Sequence, residues 1–210
     1  MESLSKSNSY QSRLIIRDYS NDKIRTKDYI FIEWRFGYEK PDRFSAEQYA
    51  NEDSGSVYDM WTSVDGKHYN LLPVLGWIKE EQVEQIKNTD KMNYTLSLEK
   101  YAKLMEQNKA DSVDLYDDQK NSKAYFMIKY KDPKWDFFKY GKEDMKYAVE
   151  IWVDKDTLLI VKAIGKVISK NSKMGKDINY DFIQLFSNHN GVVIQPPAHV
   201  YVNQKSEFMN

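Results

Sequence analysis

The chain of 210 residues contains no cysteine, which excludes disulfides, thiolate metal sites and a cysteine nucleophile. No run of about 18 apolar residues occurs, so the sequence predicts no membrane-spanning helix. The first residues, Met1 to Ser12, are rich in Ser, Asn and Lys and lack the apolar segment of a secretory signal. Within these residues we expect neither a membrane span nor a signal.

The sequence also has almost no surplus of charge, with 31 basic and 32 acidic residues and a net charge of −1. A protein that binds nucleic acid usually carries a clear basic surplus or a basic stripe. We therefore expect no nucleic-acid partner.

Motifs that assemble a catalytic or cofactor site are absent as well. No Gly-rich phosphate loop, G-x-S-x-G turn or H-E-x-x-H helix occurs. The three histidines, His68, His189 and His199, lie on separate segments, and the acidic residues near Asp114 lack the spacing of a calcium loop. We predict a protein that is not an enzyme, with no catalytic residue, no metal ligand and no cofactor.

Aromatic and alternating strand patterns are what the chain does have, since 14% of its residues are aromatic. Apolar residues recur at every second position of one stretch, with Glu33 and Arg35 between them, which is the period of a half-buried strand. They are Ile30, Ile32, Trp34, Phe36 and Tyr38. Pro41-Asp42 predicts a turn after this strand, and Asp65-Gly66 predicts a two-residue hairpin turn of type I′.

The remaining elements follow from similar patterns. We predict strands at Ser12 to Tyr19, Ser56 to Val64, Ala124 to Tyr130, Tyr147 to Val153, Leu158 to Ser169 and Asn179 to Phe186, and a short edge or closing segment at Val192 to Gln195. Two helices are predicted in the middle, at Val74 to Lys87 and Leu96 to Asn108, the second with an apolar stripe of Leu98, Tyr101, Ala102 and Met105. The polar stretch Asp111 to Ser122 is interpreted as a loop.

These elements predict a mainly β protein with some α. About eight to eleven antiparallel strands with two helices to cover one face favour a sheet that curls around the helices, an unclosed antiparallel half-barrel. We expect a disordered segment over residues 1–11, a single domain over residues 12–202 and a tail over residues 203–210. The size and apolar content suit one core.

Three stretches carry a family resemblance in their order along the chain. They are Y-E-K-P-D-R-F at Tyr38 to Phe44, V-D-G-K at Val64 to Lys67, and the closing strands from Val149 to Ala163 and from Tyr180 to Pro197. Together they resemble the LolA-like lipoprotein carrier superfamily, which includes LppX-type lipoproteins and RseB-type regulators. The resemblance implies a half-barrel whose helices form a lid over an apolar, lipid-binding cavity.

On this resemblance the apolar face of the strands and the helical stripe form the cavity. Its expected lining residues are Ile32, Trp34, Phe36, Phe44, Leu98, Tyr101, Met105, Phe126 and Ile128. The alternative is that these side chains simply fill the core. In the family an arginine directly before the proline latches the lid, and Lys40 stands at that position here as the latch candidate, with a single ammonium group in place of a fork of donors.

Two functions follow from the resemblance. The first is a non-enzymatic extracytoplasmic binding protein, periplasmic or on the outer face of the membrane, that shelters a lipid, a lipoprotein acyl chain or another apolar ligand. The second is an interaction or sensor module of the cell envelope whose partner is a protein. The resemblance also leads us to expect an anchor or signal removed before residue 1, and the basic tip at Lys170, Lys173 and Lys176 suggests peripheral membrane contact.

Overall fold

A computed structural model of the protein describes residues 7–19, 30–40, 43–49, 59–72, 76–79, 98–135, 145–171 and 176–201. Strands dominate this part of the chain, and one helix is described. The strands are β1 Ser9–Asp18, β2 Ile30–Glu39, β3 Arg43–Tyr49, β4 Asp59–Val64, β5 Lys67–Leu72, β6 Gly76–Lys79, β7 Ser112–Asp118, β8 Lys123–Lys131, β9 Lys146–Asp154, β10 Ile160–Asn171, β11 Lys176–Ser187 and β12 Val200–Tyr201; the helix is α1 Leu98–Gln107.

All twelve strands belong to one sheet, in the order β12-β6-β5-β4-β3-β2-β1-β11-β10-β9-β8-β7. Neighbouring strands run antiparallel, except that the short β12 lies parallel to β6. The two ends of this order, β12 and β7, are not paired with each other in the described structure. The sheet is therefore the unclosed, curved half-barrel that the sequence predicts.

The register of the strands divides the side chains between two faces. Leu14 lies opposite Trp34 and Gln184, and Ala163 continues the same row opposite Gln184 and Ile151. Side chains directly opposite each other point to the same face. We call the face that carries these residues the inner face, because α1 packs on it, and the opposite face the outer face.

The helix α1 is held firmly against the inner face. Leu98, Tyr101 and Leu104 are at most 2% exposed, and the Tyr101 hydroxyl donates to Gln184 Oε1 at 2.9 Å. The Gln184 amide in turn donates to Ser12 Oγ at 2.5 Å. The helix is predicted at almost the same residues, but Leu104, which is missing from the predicted stripe, is one of its most buried side chains.

Two sequence predictions are wrong at this level. Within the predicted helix Val74 to Lys87, residues Gly76–Lys79 form β6, where Trp77 lies opposite Leu71 of β5; residues 80–87 lie outside the described part. The predicted loop at Asp111 to Ser122 contains β7, which pairs with β8. In both places cross-strand pairing with an apolar neighbour overrides the local pattern.

The other predicted strands, apart from the segment Val192 to Gln195, are confirmed with boundaries that shift by a few residues. Strand β1 begins at Ser9, three positions before its predicted start. Residues 192–195 form no strand; they belong to a segment, residues 188–199, that we call the strap. The turn at Pro41-Asp42 lies outside the described residues, as does most of the basic tip near Lys173, although Glu39 and Arg43 pair across the β2–β3 hairpin.

The hairpin turn at Asp65-Gly66 is confirmed, since φ is 51° at Asp65 and 72° at Gly66. An added Cβ at Gly66 would meet no atom within 4 Å, so only the backbone conformation resists a side chain there. We expect Gly66→Ala to lower the free energy of unfolding by about 1 to 2 kcal/mol. Chemical denaturation beside Lys67→Ala as control measures this, and an unchanged stability would mean that the turn tolerates another conformation.

Candidate functional site on the inner face

A continuous row of aromatic rings crosses three strands of the inner face. Trp34 stacks on Phe36 with ring centroids 5.8 Å apart, Phe36 lies 5.7 Å from Phe44, and Phe44 lies 4.7 Å from Trp61. The alternation in β2 and the pairing of β2 with β3 and β4 bring these rings together. They form an apolar surface of the kind that binds hydrocarbon ligands.

The nine residues predicted to line a cavity all lie in one apolar cluster or against it. They fall into two classes by exposure. The fully buried ones are Phe36, Phe44, Leu98 and Tyr101, and the half-buried ones are Ile32, Trp34, Met105, Phe126 and Ile128. Only the second class keeps surface that a ligand can contact, whereas the first class supports it from beneath.

The helix crosses the middle of this face and separates the half-buried residues into two areas. Tyr101 bonds to Gln184 of β11, and its ring lies 5.8 Å from that of Phe186 on the same strand. Strands β1 and β11 are near the centre of the strand order. Trp34 therefore lies on one side of α1, toward β3, and Ile128 lies on the other side, toward the β7 edge.

Two further residues of this second area are not among those predicted from the sequence. Val113 and Leu115 of β7 are 60% and 54% exposed and lie opposite Ile128 and Phe126 on the inner face. They extend the apolar surface to the edge of the sheet. The alternation of Val113 and Leu115 with Asp114 is typical of a strand, but the acidic composition of the stretch favours a loop.

One polar atom in the aromatic row has no partner. The indole nitrogen Nε1 of Trp61 is buried and no acceptor lies within hydrogen-bonding distance of it in the described structure. A buried donor without an acceptor costs roughly 1 to 3 kcal/mol.

At the start of α1, the hydroxyl of Tyr10 accepts from the N–H of Leu98 at 3.4 Å. Lys40 is exposed at the end of β2, and its backbone N–H donates to the carbonyl of Asn8 at 2.8 Å. Its role as a latch stays a prediction. Burial raises the pKa of Tyr101 well above its ordinary value. The Tyr101 hydroxyl therefore stays protonated at neutral pH and remains a donor to Gln184.

Two negative findings describe the chemistry of the site. Among the residues that the structure describes, no three His, Asp or Glu side chains are grouped so that they could hold a metal ion. The described helix is too short and too polar to cross a membrane. The inner face thus offers apolar contact and one buried donor.

Charge is concentrated on the outer face, where Glu33 is only 3% exposed and lies between two arginines. Arg13 Nη2 is 2.8 Å from Glu33 Oε2, and Arg35 Nε is 2.7 Å from Glu33 Oε1. Burial alone would raise the pKa of Glu33, but the hydrogen bonds from Arg13 and Arg35 outweigh it and hold that pKa below its ordinary 4.5.

Because this pKa is lower in the folded state, the ionised Glu33 stabilises the protein above the ordinary pKa of the group. The stabilisation is lost as the pH falls through the folded pKa. We expect Glu33→Gln to lose less stability than the wild type between neutral pH and about pH 3. Denaturant midpoints at both pH values measure the difference, with Glu106→Gln on the exposed side of α1 as control. Equal acid sensitivity in all three proteins would contradict the assignment.

Comparisons with known proteins give a limited result. No protein-family model matches the chain, and no curated protein sequence matches it. Among solved structures, the chain is similar to a LolA superfamily protein from Nitrosomonas europaea, with 12% identity, 89% of each chain covered and a TM-score of 0.33. It is also similar to a DUF1329 family protein from Desulfovibrio piger, with 12% identity, a TM-score of 0.29, and 89% of this chain and 87% of that chain covered.

A third solved structure is an outer membrane lipoprotein-sorting protein domain from Vibrio parahaemolyticus, with 9% identity, 88% of each chain covered and a TM-score of 0.30. At TM-scores near 0.3 none of these likenesses carries an argument.

Proposed function

We propose that the protein is a non-enzymatic extracytoplasmic binding protein that shelters an apolar ligand, a lipid or the acyl chain of a lipoprotein, against its inner face. One observation carries the proposal. Half-buried apolar side chains flank α1 on both sides, and Leu115 and Val113 continue them, more than half exposed, to the edge of the sheet. Soluble proteins rarely leave such surface open without a ligand or a partner.

The shape of the surface favours an acyl chain over a compact ligand. It has two areas, the aromatic row on β2 to β4 on one side of α1 and the apolar residues of β7 and β8 on the other, and both consist mainly of hydrocarbon and rings. Ligand sites of this kind consist mainly of apolar residues with a few polar groups that fix the orientation.

A fluorescent fatty acid, cis-parinaric acid, tests the proposal directly. We expect saturable binding with enhanced emission, and Trp34→Ala should weaken the binding because it removes the half-buried ring beside Phe36. A matched outer-face variant, Leu185→Ala, should bind as the wild type does. Absence of saturable binding, together with absence of lipid in native mass spectra of the purified protein, would contradict the proposal.

A second candidate is a cell-envelope interaction module whose core is filled by its own side chains. The tight fastening of α1 favours it, because Leu98, Tyr101 and Leu104 are fully buried and a lid that opens needs weakly held contacts. In this case the exposed apolar side chains of β7 contact a protein partner.

Hydrogen exchange along α1 separates the two candidates. A carrier predicts faster exchange in residues 98–107 than in the central strands, with protection when the fatty acid binds. An interaction module predicts slow exchange that the fatty acid does not change. The second pattern would move our conclusion from a carrier to an envelope interaction module.

A further inference from the structure

The strap crosses the outer face and is fixed along one of its sides. The N–H of Val192 donates to Ser9 Oγ at 3.0 Å, and the N–H of Ile194 donates to Glu39 Oε2 at 2.8 Å. Arg43 Nη1 donates to the carbonyl oxygen of Ile194 at 3.4 Å. Both backbone groups of Ile194 thus face the same pair of side chains, Glu39 and Arg43, which lie opposite each other in the β2–β3 hairpin.

A groove of about 840 Å³ runs beside the other side of the strap. The strand register orders its lining into two rows that cross the strands. The floor consists of small or polar residues, Ser187, Gln11, Gly37, Ser45 and Thr62, and the wall opposite the strap consists of Leu185, Arg13, Arg35, Glu47 and Met60.

Gly37 keeps the floor of the groove low. An added Cβ at this position would lie 2.6 Å from Ser45 Oγ and 3.4 Å from Ile194 Cδ1. The groove spans five strands, from β11 to β4, which is roughly 19 Å at about 4.8 Å for each of the spacings. An extended peptide of about five or six residues has this length.

The free side of the strap offers backbone groups for pairing. Gln195 precedes Pro196, which restricts Gln195 to extended conformations. In an extended chain, successive residues direct their N–H and C=O groups to opposite sides. Since Ile194 bonds toward Glu39 and Arg43, the groups of Val193 and Gln195 are directed toward the groove, and the described structure gives these groups no partner.

The wall of the groove offers guanidinium donors. Glu33 engages Nε and Nη2 of Arg13 and Nε of Arg35, which leaves Arg13 Nη1 without a bond in the described structure. Both arginine side chains are about half exposed, at 48% and 51%. Farther along the same row, the carboxylate of Glu47 accepts a hydrogen bond from the Tyr49 hydroxyl at 2.7 Å. Glu47 is therefore already hydrogen-bonded, and Arg13 is a cationic group of the row with a donor left for a ligand.

We propose that this groove binds an extended peptide segment with a carboxylate side chain. The peptide backbone pairs with Val193 and Gln195 of the strap, as an added strand does. Its carboxylate lies at Arg13. The polar floor and the backbone groups of Val193 and Gln195 favour a peptide, which can form hydrogen bonds with them. An acyl chain would leave these polar groups without partners. The site is separate from the inner face and does not depend on lipid binding there.

The capped pentapeptide Ala-Val-Glu-Val-Ala is a suitable probe, with Ala-Val-Gln-Val-Ala as its matched neutral form. In titrations followed by NMR, we expect the amide signals of Val193 and Gln195 to shift in a saturable way. The Glu peptide should bind about tenfold more tightly than the Gln peptide, the difference that one charge-assisted hydrogen bond provides. In Arg13→Gln the two peptides should bind equally, whereas Lys131→Gln should keep the preference.

A probe with a methylated backbone nitrogen at each valine tests the strand pairing without any change to the protein. We expect it to lose binding, since methylation removes the donors that pair with the strap. Equal binding of the Glu and Gln peptides by the wild type, undiminished binding of the methylated probe, or shifts confined to inner-face residues would each overturn the proposal. This ligand-side comparison remains decisive if Arg13→Gln fails to fold.

Discussion

Gly165→Ala is expected to lower the free energy of unfolding by roughly 3 kcal/mol, the upper part of the range for overpacking a filled core. A Cβ at this position would lie 2.2 Å from two ring atoms of Phe182 and 3.1 Å from the carbonyl oxygen of Ala148. Phe182 is 1% exposed, and Trp135 packs near it with ring centroids 6.5 Å apart. The ring therefore has no room to yield.

Chemical denaturation of four proteins measures this effect: the wild type, Gly165→Ala, Phe182→Leu and the double variant. If the clash is the cause, the double variant should be more stable than the sum of the two single changes predicts. Lys166→Ala, at the neighbouring exposed position, controls for strand propensity. Strict additivity, or a Gly165→Ala protein as stable as the wild type, would show that the ring and the strand move apart easily.

Leu115→Lys is expected to remove most of the affinity for an acyl chain while leaving the protein folded. Leu115 is 54% exposed, so the substitution costs little stability. It lies opposite Phe126 on the inner face, where an ammonium group would be buried beneath a bound hydrocarbon chain. Desolvation of such a charge is unfavourable by several kcal/mol, which corresponds to a loss of binding of about a hundredfold or more.

Ile168→Lys is the matched control for this prediction. Ile168 is 45% exposed, but the register places it on the outer face, beside the buried inner-face residue Val167. Its substitution should leave fatty-acid affinity unchanged. Equal loss of affinity in both variants would indicate a general effect of charge, and unchanged affinity in Leu115→Lys would remove the β7 edge from the site.

The sequence predicts the curved sheet well where alternation and turn chemistry agree. In β2 five apolar residues alternate with Glu33 and Arg35, and Asp65-Gly66 favours a type I′ hairpin, so the register there follows from local rules. The prediction from the sequence is wrong at β6 and β7, whose residues have no strong preference for a strand. There the pairing of Trp77 with Leu71, and of Leu115 with Phe126, decides the structure, and such partners are not visible in the local sequence.

The candidate site, too, is only partly predictable from the sequence. Alternation identifies which residues face inward, but it does not distinguish Phe36, which is buried, from Trp34, which keeps exposed surface. That difference depends on tertiary packing between segments that are distant in the chain, as in the contact between Tyr101 and Gln184, residues 83 positions apart. The groove beside the strap is not predicted from the sequence either, because the strap is a segment without regular structure.

The central claim, that an acyl chain binds on the inner face, is tested most directly with a fatty acid that carries a nitroxide near its methyl end. The nitroxide broadens NMR signals of nearby methyl groups, and the fold gives reporters on both faces. We expect stronger broadening at the inner-face residues Ile32, Met105, Ile128 and Leu115 than at Ile168, Leu185 and Val193 on the outer face and the strap. Broadening confined to the second group, or equal broadening of both groups, would contradict the account.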